Sequence, residues 1–234
     1  MENKTMKYKL TRNKKEWCGT TLFQIEATMA FGSVVKGELG GYIEKENNLS
    51  QEDNAWVSDN ARVYGDARVY GDAWVYGDAW VYGTAWVYGN AWVSGNAQVY
   101  GNARVFGDAR ISGYARISGN ARISDNARVY GDAWVYGTAW VSGSARVYDN
   151  AWVYDNAWVS GNAWVSGKLK LSLGYFFGLR CEKEEIKYHK LDKDHELIYK
   201  GDAKIEDGEV VDSLVGADVE VTVNGKKYKA KIVA

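Results

Sequence analysis

From Asn54 to Gly167 the chain is written in sixes: nineteen consecutive hexads run without an insertion. The consensus is Asp or Asn, Ala, Trp or Arg, Val or Ile, Tyr or Ser, Gly, as in Asp66-Ala67-Arg68-Val69-Tyr70-Gly71 and Asp72-Ala73-Trp74-Val75-Tyr76-Gly77. Every second position is Ala and every fourth is Val or Ile. A fixed short period of this kind is the mark of a repeat architecture, in which each unit buries its apolar face only against its neighbours.

Side chains alternate across an extended strand. Ala, Val and Gly therefore fall on one side, and Asp or Asn, Trp or Arg, and Tyr or Ser on the other. A single strand of 114 residues is excluded, because strands stop by about ten residues. The chain must bend, and the recurring Gly is where it can. One bend per hexad coils the chain around its Ala and Val side chains, and successive coils pair as parallel strands roughly 4.8 Å apart.

The acidic residues set the number of hexads per coil. Like charges stacked on neighbouring strands destabilise a sheet. First-position Asp occurs at 66, 72, 78, 108 and 132. Two hexads per coil would stack Asp66 on Asp78, and four would stack Asp108 on Asp132. Three per coil stacks none of them, which predicts a triangular prism and an all-β parallel solenoid.

An aliphatic residue with a small one two places before it, as in Ala73 and Val75, resembles the hexapeptide-repeat, left-handed parallel β-helix; left-handedness is implied by that resemblance alone. The head adds a second likeness. Phe31-Gly32-Ser33-Val34-Val35-Lys36-Gly37-Glu38-Leu39-Gly40-Gly41-Tyr42-Ile43, followed by Asn48-Leu49-Ser50, is similar to the N-terminal cap of YdcK-like proteins, which occur in bacterial and bacteriophage genomes and are often described as acyltransferases.

The expected organisation is a cap over 1–53, the solenoid over 54–167 and a small β-rich domain over 168–234. Short alternating runs such as Thr21-Leu22-Phe23-Gln24-Ile25 suit strands that cover the first coil, since an open solenoid end exposes an unpaired edge. Beyond 167 the composition changes: all 19 Lys lie outside the hexads, and eight of ten Arg lie inside. Val219–Val223 and Lys226–Ile232 around Asn224-Gly225 read as a type I′ hairpin. Glu185–Tyr188 and Glu196–Tyr199 suggest another. Cys18 and Cys181 fit no metal or redox spacing and suit reduced thiols, with a cytoplasmic setting. Neither a signal-like start nor an apolar run near 18 residues is present, so no membrane association is expected.

Acyltransferase chemistry in the resembled class implies a histidine general base on the solenoid or its loops. Residues 1–188 contain no histidine; His189 and His195 stand in the Lys-rich tail, where surface positions on a hairpin suit them. The histidine cluster of a solenoid-borne metal site is absent as well, and no loop interrupts the hexads. Near-identical repeats supply few of the unique groups that catalysis needs. The expectation is a protein that is not an enzyme and needs no cofactor or metal.

With three hexads per coil the third positions sort into columns. The first face reads Trp56, Trp74, Trp92, Arg110, Arg128, Arg146, Trp164; the second Arg62, Trp80, Gln98, Arg116, Trp134, Trp152; the third Arg68, Trp86, Arg104, Arg122, Trp140, Trp158. Tyr columns run beside them, for example Tyr64, Tyr82 and Tyr100. Stacked rings of this kind stabilise a coil stack without any ligand. Arg110, Arg128 and Arg146, however, stack three like charges, which a bridging anion would relieve. Trp92 and Trp164 flank them and suit a planar group, so a small planar anion of nucleotide type is the expected ligand. A formal net charge of −1 argues against long nucleic acid. Ten Trp pointing outward suggest a homo-oligomer, with trimers common in the resembled family and clefts between protomers as natural ligand sites. Flat Thr arrays for ice binding are missing. Three readings stay open: a non-catalytic binding protein, a purely structural solenoid, and a divergent acyltransferase.

Overall fold

The third and fourth positions of the hexads form two-residue strands from Trp56–Val57 onward, except that Trp152–Ser160 is one continuous strand, and the strands pair in parallel with those eighteen residues away. This is seen in a computed structural model that describes residues 6–177 and, beyond them, Tyr188–Lys190, Glu196–Ile198, Ile205–Glu206, Glu209–Val210, Asp218–Val223 and Lys226–Lys231. Trp56 lies opposite Trp74, not Arg68 or Trp80, so three hexads make one coil. The fold is an all-β parallel solenoid whose ladder bonds run from residue i to i+17, as from Trp74 N to Ala91 O at 2.9 Å.

The Ala and Val or Ile of every hexad are buried, nearly all at 0–1% exposure, and they alone fill the axis of the prism. Gly departs from the expected alternation. The strand ends after the fourth position, and the sixth turns the corner at φ between 63° and 74° where it is Gly. No L side chain adopts that region freely. At Gly113 an added Cβ would also lie 2.8 Å from the backbone nitrogen of Gly131 on the next coil. Four hexads end in Asp instead: Asp59, Asp125, Asp149 and Asp155, at φ of 49–56°. Asp is among the few residues that tolerate this conformation. Three of these carboxylates accept the N–H of the corner Gly one coil on, Gly77 on Asp59 (2.9 Å), Gly143 on Asp125 (2.9 Å) and Gly167 on Asp149 (3.3 Å).

First-position residues form polar ladders along the corners. Asn54 donates to Asp72 (2.7 Å) and Asn90 to Asp108 (2.9 Å), so Asp sits beside Asn in the stack, not beside Asp. That is why the acidic spacing reported the coil length.

The cap is an antiparallel sheet that merges into the prism. Strands β1 (Tyr8–Trp17) and β2 (Thr20–Ala27) pair as a hairpin through Cys18 and Gly19, both at positive φ, the geometry of a type I′ turn. Strand β3 (Leu39–Ile43) pairs antiparallel with β2 and parallel with Arg62–Val63, which makes it the first rung of the second face. Leu49 bridges to Val69 and begins the third face. Gly40 and Gly41 allow the contact: a Cβ on Gly40 would stand 2.6 Å from Val57 O, and one on Gly41 2.7 Å from Ala61 O.

The chain divides into two compact units, residues 1–182 and 183–234. At the far end of the first, Lys170–Phe177 pairs in parallel with Trp152–Ser160. In the second, Asp218–Val223 pairs antiparallel with Lys226–Lys231, Val223 opposite Lys226; Asn224 and Gly225, where the type I′ turn is expected, lie outside the described residues. Tyr188–Lys190 pairs with Glu196–Ile198, and Ile205–Glu206 with Glu209–Val210. Glu185–Lys187, His195 and Cys181 lie outside the described residues.

Candidate functional site

The outward rings are mostly engaged with one another. Trp134 stacks on Trp152 (5.1 Å between centroids) and Trp140 on Trp158 (4.7 Å). Tyr64, Tyr82 and Tyr100 form a ladder at 5.1 and 5.0 Å, with planes within 4° of parallel. A second relation runs diagonally, from a fifth position to the third position sixteen residues on. Tyr76 meets Trp92 edge-on at 6.3 Å, and the Trp140 indole donates to Ser124 Oγ at 3.1 Å.

The expectation of ten exposed Trp is corrected. Trp56 is fully buried beneath the cap, edge-on to Tyr8 (6.4 Å) and Phe31 (5.4 Å). Only Trp92 is freely exposed, at 41%, and the rest are half-buried. Rings inside the stack have neighbours above and below at strand spacing, and these shield their faces.

On the first face, Trp92, Arg110, Arg128, Arg146 and Trp164 occupy five successive rungs in the expected order. The outer arginines use the flanking rings: Arg110 Cζ lies 4.9 Å over Trp92, and Arg146 Cζ 4.7 Å over Trp164. Arg128 is exposed and stands between two guanidiniums. Among the described residues, no carboxylate comes within 4.0 Å of any hexad arginine; the ion pairs are Lys7–Asp53, Lys9–Glu26 and Lys45–Asp66. A depression of about 230 Å³ is lined by Arg110, Ser112, Arg128, Tyr130 and Arg146. Its cause is in the fifth-position column, which reads Tyr76, Ser94, Ser112, Tyr130: two serines interrupt the rings and leave space beside Arg110 and Arg128.

Sorting the hexads into columns hides a second pattern. Arg104, Arg110, Arg116, Arg122 and Arg128 are consecutive third positions, so they form a belt that touches all three faces. From 104 to 128 there are five Arg and two Asp; the hexads on either side carry more Asp than Arg. The belt gives the third face its own pair, Arg104 above Arg122. These two line a depression of about 340 Å³ with Thr84, Trp86, Asn102 and Asn120. Reading the third positions in chain order would have found it.

Among the described residues no three His, Cys, Asp or Glu side chains converge on one point, and no helix is long and apolar enough to cross a membrane. His189 lies on a strand opposite Leu197.

The family model of the YdcK beta solenoid repeat matches the chain over residues 55–71, 67–83, 97–113, 115–127, 121–137, 145–161 and 151–167, all within the hexads. The solenoid is YdcK-like. No curated protein matches the chain. Coil length, inward Ala and Val, and ring ladders give this YdcK-like solenoid the construction of a structural repeat protein.

Proposed function

We propose that this YdcK-like solenoid is a non-catalytic protein that holds a small anion on its first face. The observation that supports the reading is Arg128. Among the described residues no carboxylate lies within 4.0 Å of it and no aromatic ring lies under its guanidinium, and a like charge lies on the rung to either side. Ser112 keeps the space beside it open. An oxyanion bridging Arg110, Arg128 and Arg146 would relieve the repulsion with charge-assisted bonds. Because Arg110 and Arg146 already cover the facing sides of Trp92 and Trp164, the arginines contribute more of the affinity than ring stacking does. Homotrimer formation through the faces would enclose such a site.

The test is calorimetric titration of the full chain with mononucleotides and cyclic nucleotides, beside melting curves. Arg128→Ala is expected to weaken binding by one to two orders of magnitude and to leave the melting temperature unchanged or slightly raised. A destabilised Arg128→Ala variant, with no heat from any nucleotide in the parent protein, would reject the reading.

A second reading, a purely structural rod, is favoured by the ladders of Trp, Tyr and Asn, which occupy their side chains without any ligand. It predicts that removing one whole coil of three hexads leaves function intact.

A further inference from the structure

The third face carries a different arrangement. Trp86, Arg104, Arg122 and Trp140 stand on four successive rungs. Arg104 Cζ lies 5.1 Å over Trp86, and Arg122 Cζ 5.9 Å over Trp140. Each ring thus holds its guanidinium from the outer side, and the two arginines stand on adjacent strands, whose backbones lie roughly 4.8 Å apart. The acidic groups of the adjoining corners are used elsewhere. Asp125 accepts the Gly143 N–H at 2.9 Å, Asp108 accepts from Asn90 at 2.9 Å, and Asp66 pairs with Lys45 at 2.8 Å.

Beside the pair runs a relay of polar side chains. The Thr84 hydroxyl donates to Asn102 Oδ1, and Asn102 Nδ2 donates to Asn120 Oδ1 at 3.2 Å. The Thr84 hydroxyl, with its one proton, also lies 2.9 Å from the Gly101 carbonyl oxygen. Asn120 accepts through its oxygen, so its Nδ2 remains as a donor beside Arg122. The depression of about 340 Å³ between these groups therefore presents two fixed positive charges and amide donors.

We propose that this depression is an oxyanion site for phosphate, held between Arg104 and Arg122 with Asn120 Nδ2 as a further donor. Two guanidiniums in one site match the two charges of a phosphate monoester or of hydrogen phosphate. A carboxylate carries half that charge and offers fewer oxygens to guanidiniums on separate rungs. The site shares no lining residue with the first-face depression, and the proposal does not rest on the first-face reading.

Titration of the full chain at low ionic strength with inorganic phosphate and with ribose 5-phosphate tests it. Saturable binding is expected. Arg122→Gln should weaken it at least tenfold, and Arg128→Ala should leave it within twofold. Asn120→Asp serves as the second variant. It keeps the oxygen that Asn102 needs and lies on an exposed corner, so the fold survives, while its charge should abolish phosphate binding. Tighter binding of ribose 5-phosphate than of phosphate would identify a monoester as the ligand, and equal binding the free ion. No saturable heat with either probe overturns the proposal. So does phosphate binding that survives Arg122→Gln and Asn120→Asp, or that is lost with Arg128→Ala alone.

Discussion

The indole N–H of Trp140 donates to the hydroxyl of Ser124 at 3.1 Å, sixteen residues back and one coil away, and Trp158 does the same with Ser142 at 3.3 Å. Ser124 is only 1% exposed. The Ser at a fifth position is thus an acceptor placed beneath a stacked Trp, where Tyr elsewhere offers an edge-on ring. Ser124→Ala leaves the indole nitrogen without that acceptor and should cost about 1 kcal/mol, read as a lowered urea midpoint. Ser94→Ala, beside Arg110 with no indole to satisfy, should change the midpoint by much less.

Val105 is wholly buried between Val87 and Ile123 on the third face. Val105→Asp would place a carboxylate in an axis filled only by Ala, Val and Ile, with no cation to pair it. Loss of the cooperative melt, or a Tm drop too large to measure above room temperature, is the expected outcome. An unchanged Tm would mean that the inward face had been misassigned.

The prism was legible because three independent features of the hexad agree. Ala and Val recur at the buried positions, Gly recurs at the corner, and the first-position Asp residues avoid one another at eighteen-residue spacing, whereas twelve would stack Asp66 on Asp78 and twenty-four Asp108 on Asp132. Gly's place was misread because alternation describes strands and says nothing of where they end. The columns were correct, including Trp92, Arg110, Arg128, Arg146 and Trp164, since register follows once the coil length is known. Ring engagement was not legible. Whether Trp92 is free for a ligand or covered by Arg110 depends on side-chain rotamers, which a column of letters does not contain. The buried Trp56 was missed for a related reason: its cover comes from Tyr8 and Phe31, far away in sequence, and no periodicity links them to it.

The join between cap and prism is tightest at Gly40. A Cβ there would stand 2.5 Å from Ile25 Cγ1, 2.6 Å from Val57 O and 2.7 Å from Trp56 Cζ2, and the carbonyl has little freedom to yield. Gly40→Ala should therefore destabilise the cap by about 1–3 kcal/mol, as overpacked cores do. The expected signal is faster hydrogen exchange over β1–β3, with central hexads such as 104–129 unchanged. Uniformly faster exchange would show instead that cap and solenoid unfold as one unit.

Lys7 is 3% exposed. Its Nζ donates to the carbonyls of Asp53 (2.7 Å) and Ala55 (2.9 Å), 4.7 Å from the Phe31 ring centroid and 3.8 Å from the Asp53 carboxylate. Burial pushes its pKa down to about 8, against partial compensation from Asp53 and Asp72. The unfolded chain, with an ordinary Lys near 10.5, therefore binds more protons than the folded one between about pH 8 and 10.5. Stability from this group accordingly rises with pH through that window. Tyr8 works in the opposite sense. Its hydroxyl reaches the carbonyls of Leu49 (2.8 Å) and Glu46 (3.0 Å), and burial raises its pKa, so its contribution falls once unfolded tyrosines ionise near pH 10. The cap should accordingly be most stable near pH 9–10. In Lys7→Met, which removes the titrating group, the rise from pH 7.5 to 9.5 should disappear, a difference on the order of 1–2 kcal/mol in denaturant titrations at the two pH values. An equal rise in both proteins would assign the pH dependence to some other group.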